Sequence, residues 1–134
     1  MDDEIGGVAV ALGHDAVGQL QGAVAAGTLK MSKEAAHELA GHYQWFAEEM
    51  EQRQKTAKAL VEVGGFGGFT SSQQLQSGFS KKAVQAFEAY RAAEESAYRM
   101  QAAILQAAGL IEEVDAANAA AVSAAGKETP HVPA

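Results

Sequence analysis

The chain has 134 residues, of which 30 are Ala, with no Cys, two Pro and a net charge of −7. That length holds one domain, and the lack of Cys removes disulfides, thiolate metal sites and cysteine nucleophiles. An acidic balance without a basic cluster excludes nucleic acid and anionic membranes as expected partners, and no run of about 18 apolar residues offers a membrane insertion.

Residues 1–31 read as a Gly/Ala-rich extension. The opening Met1-Asp2-Asp3-Glu4 is acidic where a secretory signal peptide is basic, so none is expected. Val8, Val10, Leu12, Val17, Leu20, Val24 and Leu29 supply apolar side chains, interrupted by Gly6, Gly7, Gly13, Gly18, Gly22 and Gly27. Each Gly inside a helix costs roughly 1 kcal/mol relative to Ala, which limits the segment to one short helix over about 15–26.

Residues 32–62 predict a long helix capped by Ser32. Ala36, Leu39, Ala40, Tyr43, Phe46, Ala47, Met50, Ala57, Leu60 and Val61 recur at three-four spacing, with Arg53-Gln54 as a polar break. Gly64, Gly65, Phe66, Gly67, Gly68 and Phe69 form a turn at 63–70, where the glycines remove helix propensity and the two Phe are expected to plug the open end of the hairpin. Thr70-Ser71-Ser72 is a fresh capping cluster. Leu75, Phe79, Ala83, Phe87, Tyr90, Ala97, Met100, Ile104, Ile111 and Val114 then continue the spacing, predicting one helix over 71–124. Gly78 is a place where a short first segment would split off, with Ser80 capping the rest. Residues 126–134 have nothing to pack on and are expected to be disordered.

The fold class is therefore all-α: an antiparallel two-helix hairpin spanning 32–125, after a short N-terminal helical segment. Two helices cover only one stripe of each other, leaving Trp45, Phe46, Tyr90, Tyr98, Ile104 and Leu105 as interface candidates. Burying a large side chain is worth about 1.5–3 kcal/mol, so a partner completing a four-helix bundle is expected.

No catalytic residue, metal ligand or cofactor is expected. His37 and His42 stand five apart, about 140° around a helix, whereas a zinc-protease helix needs four. Glu48-Glu49, Glu94-Glu95 and Glu112-Glu113 are neighbours about 100° apart and form no dyad. A di-iron bundle is likewise set aside. The Gly-rich turn lacks the Lys-Ser/Thr ending of a phosphate loop, and His14-Asp15 has no Ser nucleophile beside it. Two i,i+4 pairs place an apolar grip beside a charge: Tyr90 with Glu94, and Ile111 with Asp115.

The Gly-Ala segment 23–29, the first arm, the Gly-rich turn, Ser77-Gly78-Phe79-Ser80-Lys81-Lys82-Ala83 and the stretch 108–119 together resemble the Trp-Xaa-Gly (WXG-type) helical-hairpin family. Those are small proteins of the type VII (ESX) secretion system of actinobacteria and related bacteria, here in a variant with an N-terminal extension. The resemblance covers roughly residues 15–125. Family members often end the second arm in Tyr-x-x-x-Asp/Glu, read by the export machinery. Asp115 falls on the acidic position with Ile111 in place of Tyr, Tyr90-x-x-x-Glu94 fits the spelling in mid-helix, and the turn has no Trp-Xaa-Gly. The resemblance implies a non-enzymatic protein, cytoplasmic before export and secreted without a signal peptide. Its partners would be a second copy, a paired hairpin protein or the helical domain of a larger effector, with the secretion ATPase. The competing expectation is an intracellular structural or regulatory bundle protein unrelated to export.

Overall fold

A computed structural model describes residues 2–63 and 65–132, with 2–12 described by their backbone alone. Met1, Gly64, Pro133 and Ala134 lie outside the described residues, as do the side chains of Val8, Val10 and Leu12. Regular structure among the described residues is helical throughout: α1 (Asp2–Ala25), α2 (Lys33–Val61), α3 (Thr70–Ala107) and α4 (Ile111–Ala125).

α1 is longer than the short helix expected over 15–26. Tertiary packing overrides its weak propensity: Val17 is buried, and Gly13 lies so close to α3 that a Cβ there would sit 3.4 Å from the Ser96 Oγ. The helix ends on Gly27 at φ +74. The Thr28 N–H bonds the Ala23 carbonyl at 3.0 Å and the Gly27 N–H bonds the Val24 carbonyl at 3.1 Å, a closed C-terminal turn that needs a left-handed residue.

In α2 the Ser32 hydroxyl accepts from the Ala35 N–H at 3.1 Å. Ala36, Ala40, Ala47, Gln54, Ala57 and Val61 form its buried face. α3 starts on Phe69 without a side-chain cap, so Thr70-Ser71-Ser72 lie inside its first turn and not before it. It passes Gly78 unbroken. Ser80 caps nothing, and its buried hydroxyl donates to the Val61 carbonyl at 2.8 Å, fastening α3 to α2.

The single helix expected over 71–124 is two helices. Gly109, at φ +73, ends α3. The Leu110 N–H reaches back to the Leu105 carbonyl at 3.1 Å and the Gly109 N–H to Gln106 at 2.9 Å, while Leu110 packs on the cluster containing Leu105. The energetics favour the reversal. A continuous helix would still carry the Gly at a cost of roughly 1 kcal/mol, and would leave the inner face of α4 in water. Folding back buries Val114, Ala117, Ala121 and Ala124, and Val114 alone is worth about 1.5–3 kcal/mol.

The helices alternate in direction, and α3 packs against each of the others. α4 returns antiparallel to α3 and parallel to α2. Ala40 shares a cluster with Ala102, Leu105, Val114 and Ala117, and Ala47 shares one with Ala97, Tyr98, Ala121 and Ala124. Small side chains let these helices lie close. Three expected interface residues are thereby reassigned: Tyr98, Ile104 and Leu105 are core residues, because α3 is flanked by three helices of its own chain and not by one.

Candidate functional site

Where α4 ends, a polar knot ties three segments. Glu94 is buried on α3. Its Oε1 accepts from the Gln54 Nε2 of α2 at 2.8 Å and from the Lys127 Nζ at 2.6 Å. Lys127 also donates to the Gln54 Oε1 at 3.4 Å and lies 3.8 Å from the Glu51 Oε2. A buried carboxylate persists where partners compensate its lost hydration. The segment expected to be disordered from 126 is thus held at Lys127. The Glu94 carboxylate faces inward, and Tyr90 beside it is half-buried under the Arg53 guanidinium, 6.0 Å from its ring. Further along, burial pushes the Tyr98 hydroxyl above its usual pKa, and Glu94, Glu51 and Glu48 add to the shift against an opposing hydrogen bond with Gln44.

The histidines serve no common site. The His37 Nε2 lies 2.9 Å from a Glu113 carboxylate oxygen, both side chains about half exposed, and joins α2 to α4; His42 is exposed elsewhere on α2. Glu34-Ala35-Ala36-His37 does carry the Glu-x-x-His spacing of di-iron bundles, a signal the sequence reading passes over. Both side chains are exposed, and among the described residues no three His, Asp or Glu gather as a metal would need.

Ile111 and Asp115 are both exposed at the start of α4, directly after the chain reverses. In the turn, the Phe66 ring is half-buried and lies 6.1 Å from that of Phe79. Phe69 is 80% exposed and plugs nothing. Leu60, Leu75 and Phe79 are also exposed around that end of the molecule.

A second apolar surface lies where α1 crosses α3. Gly13, Ala16 and Val17 face the small side chains Ala89, Ala93 and Ser96 across a cleft of about 280 Å³, with Tyr43, Phe46 and Met100 as its larger walls. Phe46 and Leu39 are exposed on α2 at i,i+7, in line with Tyr43. Trp45, 63% exposed, is on the opposite side of α2. The cleft was hidden in the sequence because its floor needs α1 seated on α3. The run Ala89, Ala93, Ser96 and Met100, at three-four spacing beside the main α2-facing stripe, is the signal that α3 has a second covered face.

No known protein family, curated protein or solved structure matches this chain in comparison.

Proposed function

We propose that the protein is a non-catalytic helical interaction protein of a type VII-like secretion route, travelling as a substrate or as the targeting partner of a larger effector. The observation that supports it best is the apolar stripe of Leu39, Tyr43 and Phe46 on α2, which opens onto the cleft between α1 and α3. A partner helix laid along it would complete the burial that the chain begins. Ile111 and Asp115, exposed on one side of α4, would be the export signal. The reversal at Gly109 favours a second reading, a structural or regulatory bundle protein unrelated to export, because it replaces the long second arm of a hairpin by two helices.

Co-expression with the neighbouring gene product decides between them. The first reading expects a stoichiometric complex that Phe46→Asp abolishes, and intact chain in the culture filtrate that Asp115→Ala removes. Retention in the cytoplasm of a cell with a working secretion system would refute the export role. A stable monomer at micromolar concentration with no co-purifying protein would refute the interaction role.

A further inference from the structure

The apolar stripe of α2 is longer than the cleft it borders. Leu39, Tyr43, Phe46 and Met50 form one line at three-four spacing, about 16 Å long at 1.5 Å per residue. Leu39 and Phe46 are exposed, and Tyr43 and Met50 half-buried. α1 packs on α3 and not on α2. Its Gly13 and Ala16 put little side chain into the space between, and the cleft of about 280 Å³ remains. An apolar cavity of about 150 Å³ holds a benzene, so there is room for an aromatic side chain.

The charge beside that groove has one sign. From Glu34 to Gln52, α2 carries Glu34, Glu38, Glu48, Glu49 and Glu51 and no Lys or Arg. Residues 1–29 have no Lys or Arg either. Around the helix, His42, Glu49 and Glu38 fall about 60–100° from Leu39, on the side away from the buried Ala36, Ala40 and Ala47. Glu38 and Glu49 thus flank the stripe, about 17 Å apart along the axis. Neither has an ion-pair partner among the described residues. The nearest base along this side of α2, Arg53, is turned onto the Tyr90 ring.

We propose that the groove between α1 and α2 takes an amphipathic helix of a different protein, apolar at i, i+3 or i+4 and i+7, with Lys or Arg on its flank about three turns apart. This rests on the interaction role proposed above and supplies the partner's chemistry. One large apolar side chain of that helix enters the cleft, and its neighbours lie on Leu39 and Phe46. Its two cations meet Glu38 and Glu49 at contact, well inside the Debye length of about 8 Å. A second copy suits the groove less. A two-fold contact sets one patch against itself, which brings the Glu38 and Glu49 of both copies together, and like charges set against each other reject a partner.

The test uses two synthetic amphipathic peptides of about 18 residues with the same Leu and Phe face, one flanked by Lys and one by Glu, in fluorescence anisotropy with the full chain. Only the Lys-flanked peptide is expected to bind, and less as salt is raised. Glu38→Lys with Glu49→Lys should weaken it about tenfold, the effect of two exposed ion pairs, and should admit the Glu-flanked peptide. Glu112→Lys with Glu128→Lys makes the same change in net charge elsewhere and should leave binding as in the parent. Ala16→Phe, which fills the cleft, and Phe46→Asp should each abolish binding with the thermal transition unchanged, since both side chains are exposed. Equal binding of the two peptides, a preference for Glu flanks, an equal loss from the two Glu→Lys pairs, or binding that survives both Ala16→Phe and Phe46→Asp overturns the proposal. So does a homodimer that Phe46→Asp breaks. If neither peptide binds while the chain still forms a complex with its neighbouring gene product, this proposal alone falls; with no complex either, the interaction role falls with it.

Discussion

Replacing Lys127 by Met keeps an unbranched side chain and removes the cation from the Glu94 carboxylate. Removing one partner of a fully buried ion pair costs about 3–5 kcal/mol, and an exposed pair is worth less than about 1 kcal/mol. This pair lies between those limits, since the Glu94 side chain is 3% exposed and that of Lys127 32%. Water reaching the ammonium discounts the larger figure, and the Gln54 amide still donates to the carboxylate after the substitution. The expected loss is about 2 kcal/mol. For 134 residues the unfolding entropy is about 0.28 kcal/mol per kelvin, giving a Tm lower by about 7 °C. The assay is thermal and urea unfolding followed by circular dichroism, with Glu94→Gln and the double variant completing a cycle. Because Glu94→Gln removes the buried charge that Lys127 compensates, the double variant should return to within about 1 kcal/mol of the parent. A loss below about 0.5 kcal/mol for Lys127→Met, or a double variant equal to the sum of the singles, would refute the reasoning that the C-terminal segment is clamped through Glu94.

Two further outcomes follow from the backbone and the aromatic core. Gly109→Ala puts a Cβ at φ +73, a strain of about 1–2 kcal/mol, and favours helix through the turn by roughly 1 kcal/mol; α3 and α4 should fuse in part of the population and exchange α4 between two copies, seen as a new dimer in light scattering, and a strictly monomeric variant contradicts this. The raised pKa of Tyr98 makes its contribution to stability full below the ordinary tyrosine value of about 10 and lost as pH climbs through the higher folded value, so Tyr98→Phe should flatten the alkaline loss of stability in a series of melts; a parent and variant with identical alkaline profiles would count against it.

Much of α2 is written in its sequence, because Ser32 caps it locally and the three-four spacing from Ala36 to Val61 names its buried face. The reversal after α3 is harder to read. One Gly among Ala residues is a weak breaker, and what decides the matter is burial of Val114, Ala117, Ala121 and Ala124 on residues tens of positions away. The local hints were Glu112-Glu113, two acids suited to a first turn, one residue past Gly109-Leu110. The same blindness to distant partners explains the interface candidates. Tyr98, Ile104 and Leu105 look unpartnered when α3 is given one neighbour, and become core when it has three. Gln54 reads as a polar break and Glu94 as the acid of an i,i+4 pair with Tyr90, although a cation 33 residues beyond Glu94 ties the two together. The apolar cleft was out of reach for a related reason, since α1 has little propensity of its own and its position depends on Gly13 meeting Ser96.

The central place of α3 also orders events during synthesis. α1 and α2 leave the ribosome before the helix on which both are seated exists. At about 5–20 residues per second, the stretch from Gln54 to Ala107 takes roughly 3–10 s to emerge. Throughout that interval the face of α2 that packs on α3, Ala36 to Val61, is bare. The Ala-rich make-up of α1 and α2 then has a second benefit: small side chains expose little sticky surface while the nascent chain waits for its hub, and the α2–α3 pair can close as soon as α3 is free, with α4 folding over it last.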